Sequence, residues 1–475
     1  MPKILLASPS WTEMYGGYQD AAKRSILYPP YGLTVLASIA KKAGWQPDIF
    51  DGELFADSID AFKAKIRSFS PDIIGITSCT PTFHRTVQMA NIAKSEFNLP
   101  VLLGGAHATV LYEEILQNHS CFDLTFVGEA DLSFAQFLSG NITDKSRWDG
   151  IPGLFYKNES GKTVFTGPPR LLENLDEIPI GSRDLLAQDA YRWSLPGTEG
   201  RRFTTMNTSR GCPFDCVFCA THTLFGHHIR AQSPERVVNE IIHIYRVEGY
   251  SVIGFMDDNF TLGRERILSI CEKVIEAKLD IVMDCWTSAA SLTPEITQAM
   301  RKAGFVRVNI GVESGDPQIL KSIKKGVNLE VISRAITSAK QAGLETCGYA
   351  ILGLPGETRL SAKRTIQFLR KQKDLDYAFL TVAAPLPGSV MYDMAKKGEG
   401  GLKLLSDDFS HYKRYAEPVI EVNDLSAKDL ANLQRIGHLK IYLMPHRAWR
   451  LLRRASIKET WENIIAFAKS VIISY

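Results

Sequence analysis

The chain has 475 residues, 45% of them hydrophobic and 23% charged, with a formal net charge of +3. At ~100–200 residues per domain that is room for two or three cored domains, and the composition excludes a disordered chain or a small stapled scaffold. So small a charge gives no field that would gather nucleic acid, and no apolar run reaches the ~20 residues that span a bilayer.

In chain order, MPKILLASPSW reads as a first strand and not a signal peptide, so a cytoplasmic location is expected. Apolar runs at 3–7, 47–50, 72–77, 100–105 and 123–129 alternate with amphipathic stretches at 33–43, 58–67 and 84–97. This βαβ alternation predicts an α/β domain over 1–145, a doubly wound Rossmann-like sheet that takes its ligand beyond the carboxyl ends of the strands. Residues 146–200, richer in Gly and Pro, read as a linker with a short β-excursion. From 201 to 400, strands at 203–208, 252–256, 280–286, 306–312, 347–352 and 377–383 are each followed by a helical pattern. They predict a partial (β/α)6 barrel with its chemistry on the loops after the strands. Residues 401–475 form a helical C-terminal region for capping or substrate contact. In it Arg447, Arg450, Arg453, Arg454 and Lys458 interleave with Trp449, Leu451, Leu452 and Trp461. That pattern suits either a capping helix with a solvated face or a weak contact with a membrane surface.

Eight cysteines occur, at 79, 121, 212, 216, 219, 271, 285 and 347. Five are scattered, which argues for metal ligation in a reducing compartment and against a disulfide framework. Cys212, Cys216 and Cys219 form a CxxxCxxC loop, GCPFDCVFC, directly after the first barrel strand. A compact loop can offer three thiolates to a cubane iron–sulfur cluster, and with no fourth cysteine nearby one iron stays open to a chelating substrate. Phe218 would shield such a cluster from water. A zinc knuckle completed by His222, His227 or His228 is the alternative, although structural zinc sites favour two separated pairs.

The spacing and position resemble the radical S-adenosylmethionine superfamily. The resemblance implies a [4Fe–4S] cluster on Cys212, Cys216 and Cys219, S-adenosylmethionine chelating the open iron, and cleavage to a 5′-deoxyadenosyl radical. For S-adenosylmethionine it further implies contacts from Arg230, a fork for the methionyl carboxylate; from Asp257 and Asp258 in FMDDNF; from Glu313 and Ser314 in GVESG; and from Gly353 and Pro355 in GYAILGLPGET. The segment CWTSAAS lacks the arginine that many relatives carry near Ala289.

The loops of the first domain resemble a cobalamin-binding domain, which places the resemblance in the superfamily's cobalamin-dependent class B methyltransferases. Implied contacts are Pro30, Gly32, Asp51, Thr77, Ser78, Thr80, Gly104, Gly105, His107, Thr109, Gly128 and Glu129, with no DxHxxG to ligate cobalt from below. Methylation of an unactivated carbon in a small-molecule or lipid substrate is the implied reaction, with a flavodoxin- or ferredoxin-type reductant and no nucleic-acid partner. Cobalamin-dependent oxidation or cyclisation, as in anaerobic porphyrin cyclases, and a non-catalytic metal-binding module are the competing readings.

Overall fold

The computed structural model describes residues 1–55, 58–415 and 418–454. Among them, runs such as KILLAS and IIGIT are buried almost throughout, as expected of parallel strands covered by helices on both faces. Seven strands form the first sheet, in the order Gln46–Asp51, Lys3–Ser8, Ile73–Thr77, Val101–Gly104, Leu124–Phe126, Leu154–Lys157 and Thr163–Phe165. The first five are parallel, and the chain order reverses between Lys3–Ser8 and Ile73–Thr77. At such a switch point the helices diverge and leave a crevice beyond the strand ends.

The segment 146–200, expected as a linker with a short β-excursion, carries short strands and also binds both domains. Leu154–Lys157 and Thr163–Phe165 add to the first sheet as antiparallel strands. The rest of the segment straps the two domains together. Tyr191 donates to Asp51 at 3.0 Å, Trp193 Nε1 donates to Asp284 at 2.9 Å, and Arg183, 1% exposed, pairs with Glu240 at 3.1 Å.

The second sheet is six-stranded, parallel and strictly sequential: Phe203–Met206, Val252–Phe255, Val282–Thr287, Phe305–Glu313, Glu345–Leu352 and Tyr377–Val382. Helices pack on one of its faces, burying Ile253, Phe255, Ile310, Ala350 and Leu380 in the largest core. Ser233, Thr293 and Thr358 cap the helices Pro234–Arg246, Pro294–Lys302 and Arg359–Lys371 by accepting a backbone N–H three residues on.

An unclosed barrel leaves an unpaired edge at Tyr377–Val382, and helix Ala427–Tyr442 covers it. Ala378 N donates to Tyr442 Oη at 3.2 Å, Leu380 N to His438 Nε2 at 3.2 Å, and Gln434 Nε2 donates to Leu380 O at 3.0 Å. Three side chains at i, i+4 and i+8 thus stand in for a seventh strand. In the final helix, Pro445–Arg454, Arg447 is buried against the carbonyls of Leu369, Gln372, Leu375 and Ile441, and Arg450 pairs with Asp376. Both arginines dock the helix on the barrel, Arg447 fully buried and Arg450 a third exposed. The side chains of Arg453, Arg454, Lys458 and Trp461 lie outside the described residues. Among the described residues no helix is long and apolar enough to cross a membrane.

Candidate active site

The cysteine loop is pinched at its base by the two-residue ladder Ser209–Arg210 with Arg230–Ala231. Gly211 turns it with φ +88, where any Cβ would lie 2.3 Å from His228 O, so only glycine fits. Val217 N donates to Ile323 O at 3.1 Å and fastens the loop to the segment after the fourth barrel strand. Cys216 is buried and its thiol is pushed up to about 11, by burial first and by the charges of Cys219 and Cys212. Burial also raises Cys212, with Cys219 contributing. The three thiols are therefore close enough to sense one another.

Lys325 is the cation that opposes this, and its charge is felt at both Cys212 and Cys216. Burial works against the Lys325 ammonium, but Glu313, at 2.7 Å, and the thiols raise its pKa overall. Gly311 makes room for the pair, since a Cβ there would sit 2.4 Å from Glu313 Oε1 and 2.8 Å from Lys325 Nζ. Glu313 reaches it from a bulge with φ +60. Sequence patterning missed Lys325, because SIKKGV resembles any polar helix end.

Cys271 lies on helix Arg264–Glu276, Cys285 and Cys347 on barrel strands, and Cys79 and Cys121 in the first domain, so the loop has no fourth thiol beside it. Among the described residues no three His, Cys, Asp or Glu side chains converge on a single-ion site. His227 instead pairs with Asp215 at 3.3 Å. Three thiols spaced around one loop fit a polynuclear cluster, whose corner irons each take one ligand.

The other residues expected near S-adenosylmethionine divide by position. Asp258 lies at the loop, accepting from Thr221 Oγ1 at 3.1 Å beside Cys219, and burial raises its carboxyl to about 6. Phe218 packs against the main core. Asp257 is 1% exposed and is occupied by Thr208 N, Thr208 Oγ1 and Ser209 Oγ, so it fixes the end of the first strand. Ser314 is turned to Thr365 and Asp316 N. The side of Gly353 on which a Cβ would stand meets Ile420 and Leu430 of the C-terminal region. Pro355 O accepts from Ser322 Oγ at 3.3 Å. Glu357, 0% exposed, accepts from Gly353 N, and burial raises its carboxyl to about 8.

Arg230 corrects the expectation of a carboxylate fork aimed at a ligand. It is 4% exposed, its Nη1 and Nη2 grip Glu129 of the first domain, and Nη1 also donates to Leu172 O at 2.9 Å. Arg210 Nη1 donates to the same Glu129 Oε2 at 2.6 Å and to Asp131 Oδ2 at 2.6 Å. The base of the cysteine loop is thus ion-paired to the loop after strand Leu124–Phe126.

Beside this junction lies a cavity of about 590 Å³ walled by both domains. Pro30, Gly32, Thr77, Gly104, Gly105, Gly128 and Glu129 line it from the first domain; Thr205, Asn207, Arg210, Met256 and Asp258 line it from the barrel. Nothing lies within 4 Å of where a Cβ of Gly104 would stand, so the strand end presents bare backbone to the cavity, while Gly105, with φ +97, has its Cβ position 2.5 Å from Ser78 O and must be glycine for the loop to pack. Such a glycine floor suits close approach by a large flat macrocycle.

Five residues expected on this floor stand behind it. Ser78 Oγ donates to Gly104 O at 2.9 Å and Thr109 Oγ1 accepts from Gly128 N at 3.0 Å, holding the two glycine loops in place. Asp51 is buried against Tyr191 and Glu53 N, and burial raises it to about 6. His107 is 1% exposed and shares a hydrogen bond with Thr80 Oγ1 at 3.2 Å. It lines a separate cavity of about 360 Å³ with Phe83 and Phe409, and burial lowers its pKa to about 4.

The Radical SAM superfamily model matches residues 206–369 and the B12 binding domain model matches residues 20–138. The chain is 36% identical over 448 residues to the uncharacterized methyltransferase PH0819 of Pyrococcus horikoshii, covering 93% of each. It is 27% identical over 450 residues to an anaerobic magnesium-protoporphyrin IX monomethyl ester cyclase of Rubrivivax gelatinosus, covering 93% of this chain and 77% of the other. The solved structure of OxsB, a cobalamin-dependent S-adenosylmethionine radical enzyme with aqua-cobalamin and S-adenosylmethionine bound, shares the fold. Its TM-score is 0.74 at 18% identity, with coverage of 99% of this chain and 72% of that one.

Proposed function

Because the chain belongs to the cobalamin-binding branch of the radical S-adenosylmethionine superfamily, we propose that it methylates an unactivated carbon of a small molecule at the cavity between its domains. The observation that carries this is the shared wall: glycine-floored loops of the B12-binding domain and the base of the cysteine loop face one space of about 590 Å³. The chain uses a [4Fe–4S] cluster, S-adenosylmethionine and cobalamin; bound, they supply a radical able to abstract hydrogen from carbon and a transferable methyl group. Cys212, Cys216 and Cys219 would hold the cluster, and Lys325, anchored by Glu313, offsets the negative charge of the thiolates. Gly104, Gly105 and Gly128 would let the corrin ring rest on backbone, with Ser78 and Thr109 keeping those loops in position. Glu129, Arg210 and Arg230 hold the two half-sites in register. The enzyme needs a one-electron reductant, which we assign to the flavodoxin or ferredoxin class.

Incubating anaerobically reconstituted protein, reductant and candidate substrates with methyl-labelled S-adenosylmethionine tests the reading. Label should appear in product, and Cys216→Ala should form no 5′-deoxyadenosine while Cys271→Ala still does. Product formed with deoxyadenosine but without label would replace methyl transfer by oxidation or cyclisation, the reaction in the name of the Rubrivivax relative.

A further inference from the structure

From the sheet face turned away from the helices, we infer that the substrate presents an uncharged, flat ring system to the barrel; this rests on the reading of the interdomain cavity as the reaction site. Side chains alternate across a strand, so residues two apart share a face. Ala350, Leu352, Leu380 and Val382 point into the helix-packed core, while Tyr349, Ile351, Phe379 and Thr381 stand on the opposite face and keep partial exposure near the strand ends. Thr205 and Met256, which line the interdomain cavity, alternate in the same way with the core residues Met206 and Phe255. The aromatic wall and the cavity thus occupy one face of one sheet.

On that face three rings stand in a row across the strands. Trp286 lies 4.6 Å from Tyr349, and Tyr349 lies 4.9 Å from Phe379 at an interplanar angle of 15°. Gly311, between the strands that carry Trp286 and Tyr349, gives its side-chain space to the Glu313–Lys325 pair, so the charges beside the rings are already matched. Below the rings the polar groups satisfy one another: Tyr349 Oη donates to Asn309 Oδ1 at 3.2 Å, and Asn309 Nδ2 donates to Asp284 at 3.0 Å. Arg307, the sole Lys or Arg in the six barrel strands, is held by Glu345 at 2.6 Å and lies over the Trp193 ring at 5.3 Å. A phosphate or carboxylate on the substrate would meet aromatic faces and two cations already neutralised, Arg307 by Glu345 and Lys325 by Glu313. An uncharged polycyclic or conjugated body would gain ring contacts at no desolvation cost of charge.

The test compares two probes that share a ring, 1-naphthol and 1-naphthyl phosphate, binding to the holoprotein loaded with cluster and cobalamin, by calorimetry. Naphthol is expected to bind at least about tenfold more tightly than its phosphate. Tyr349→Ala and Phe379→Ala should each weaken naphthol by about two- to tenfold. Phe379→Leu, which keeps the bulk and drops the ring, should move the same way and covers the case in which the alanine variant fails to fold. Equal affinity for the two probes, or naphthol binding indifferent to the substitutions, would overturn the inference. Binding is read without turnover, so naphthol bound here while candidate substrates give deoxyadenosine and unlabelled product sinks only the methyl-transfer reading, and labelled product without naphthol binding sinks only this one.

Discussion

Removing the Glu129 carboxylate should destabilise the junction of the two domains by about 3 kcal/mol. Its side chain is 2% exposed and sits between two guanidiniums, Arg230 at 2% exposure and Arg210 at 18%. In Glu129→Ala, Arg210 keeps Asp131, to which it is bonded twice, at 2.6 and 3.0 Å. Arg230 keeps only carbonyls, Leu172 O at 2.9 Å and Phe225 O at 3.5 Å. One buried cation is therefore stripped of its counter-charge, a change that costs about 3–5 kcal/mol, and the second partner of Arg210 places this case at the low end. Glu129→Gln keeps the shape and a hydrogen bond and should lose less, while Glu129→Leu/Arg230→Met replaces the pair by apolar contact and should recover most of the loss. Denaturant midpoints followed by circular dichroism measure the stability. Because Arg210 and Arg230 form the base of the cysteine loop, iron retained after anaerobic reconstitution should fall in parallel. A Glu129→Ala protein within about 1 kcal/mol of the parent, with the double variant no better, would refute the view that this ion pair fixes the domains.

Two further predictions follow from the same geometry. His438 must be neutral to accept from Leu380 N, and burial lowers its pKa from 6.5 to about 4. Its stabilising contribution is thus complete above pH 6.5 and is lost as the pH falls towards 4, a window in which the unfolded chain binds the extra proton. Full burial would make this worth about 3 kcal/mol, and partial exposure brings it nearer 2. Thermal midpoints should fall across that window, and His438→Gln, which keeps an acceptor that does not titrate, should flatten the fall; an unchanged slope would show that the edge is not held this way. Gly105→Ala forces a Cβ to 2.5 Å from Ser78 O at φ +97, a strain of about 1–3 kcal/mol, and should lower cobalamin retained per chain while leaving iron per chain unchanged. Full retention of cobalamin in that variant would place the macrocycle elsewhere.

Much of this architecture is legible in the sequence because period and covalent chemistry act locally. The strand predicted at 306–312 is Phe305–Glu313 and the helix predicted at 84–97 is Phe83–Phe97, since each buries a face that repeats within a few residues. The cysteine loop is legible for a different reason: three thiols that serve one cluster must lie close along the chain. What stays hidden depends on partners far away in sequence. The strand Leu154–Lys157 shows as part of a short β-excursion, but its place as an antiparallel addition to the first sheet beside Leu124–Phe126 does not. Arg447 belongs to a pattern that suggests a solvated face, yet carbonyls at 369 to 375 draw it inside. Arg230 and Glu129 look like two separate ligand contacts, and only the fold reveals that each is the other's partner.

That pairing bears on how the two cofactor sites cooperate. Each domain presents the carboxyl ends of its parallel strands to the same space, so Gly104 and Gly105 end a strand of one sheet while Asn207 and Met256 follow strands of the other. Side chains on the strands themselves are rigid, and a methyl group must pass between reactants over a short, fixed distance. A flexible linker across 146–200 would leave that distance undefined. The observed segment instead buries Trp193 against Asp284 and Tyr191 against Asp51, one contact in each domain, and Glu129 adds an ion pair beside the cavity. The strap, anchored at both ends, and the ion pair are two independent ties across one junction, and they make the spacing between the cysteine loop and the glycine floor a property of the folded core.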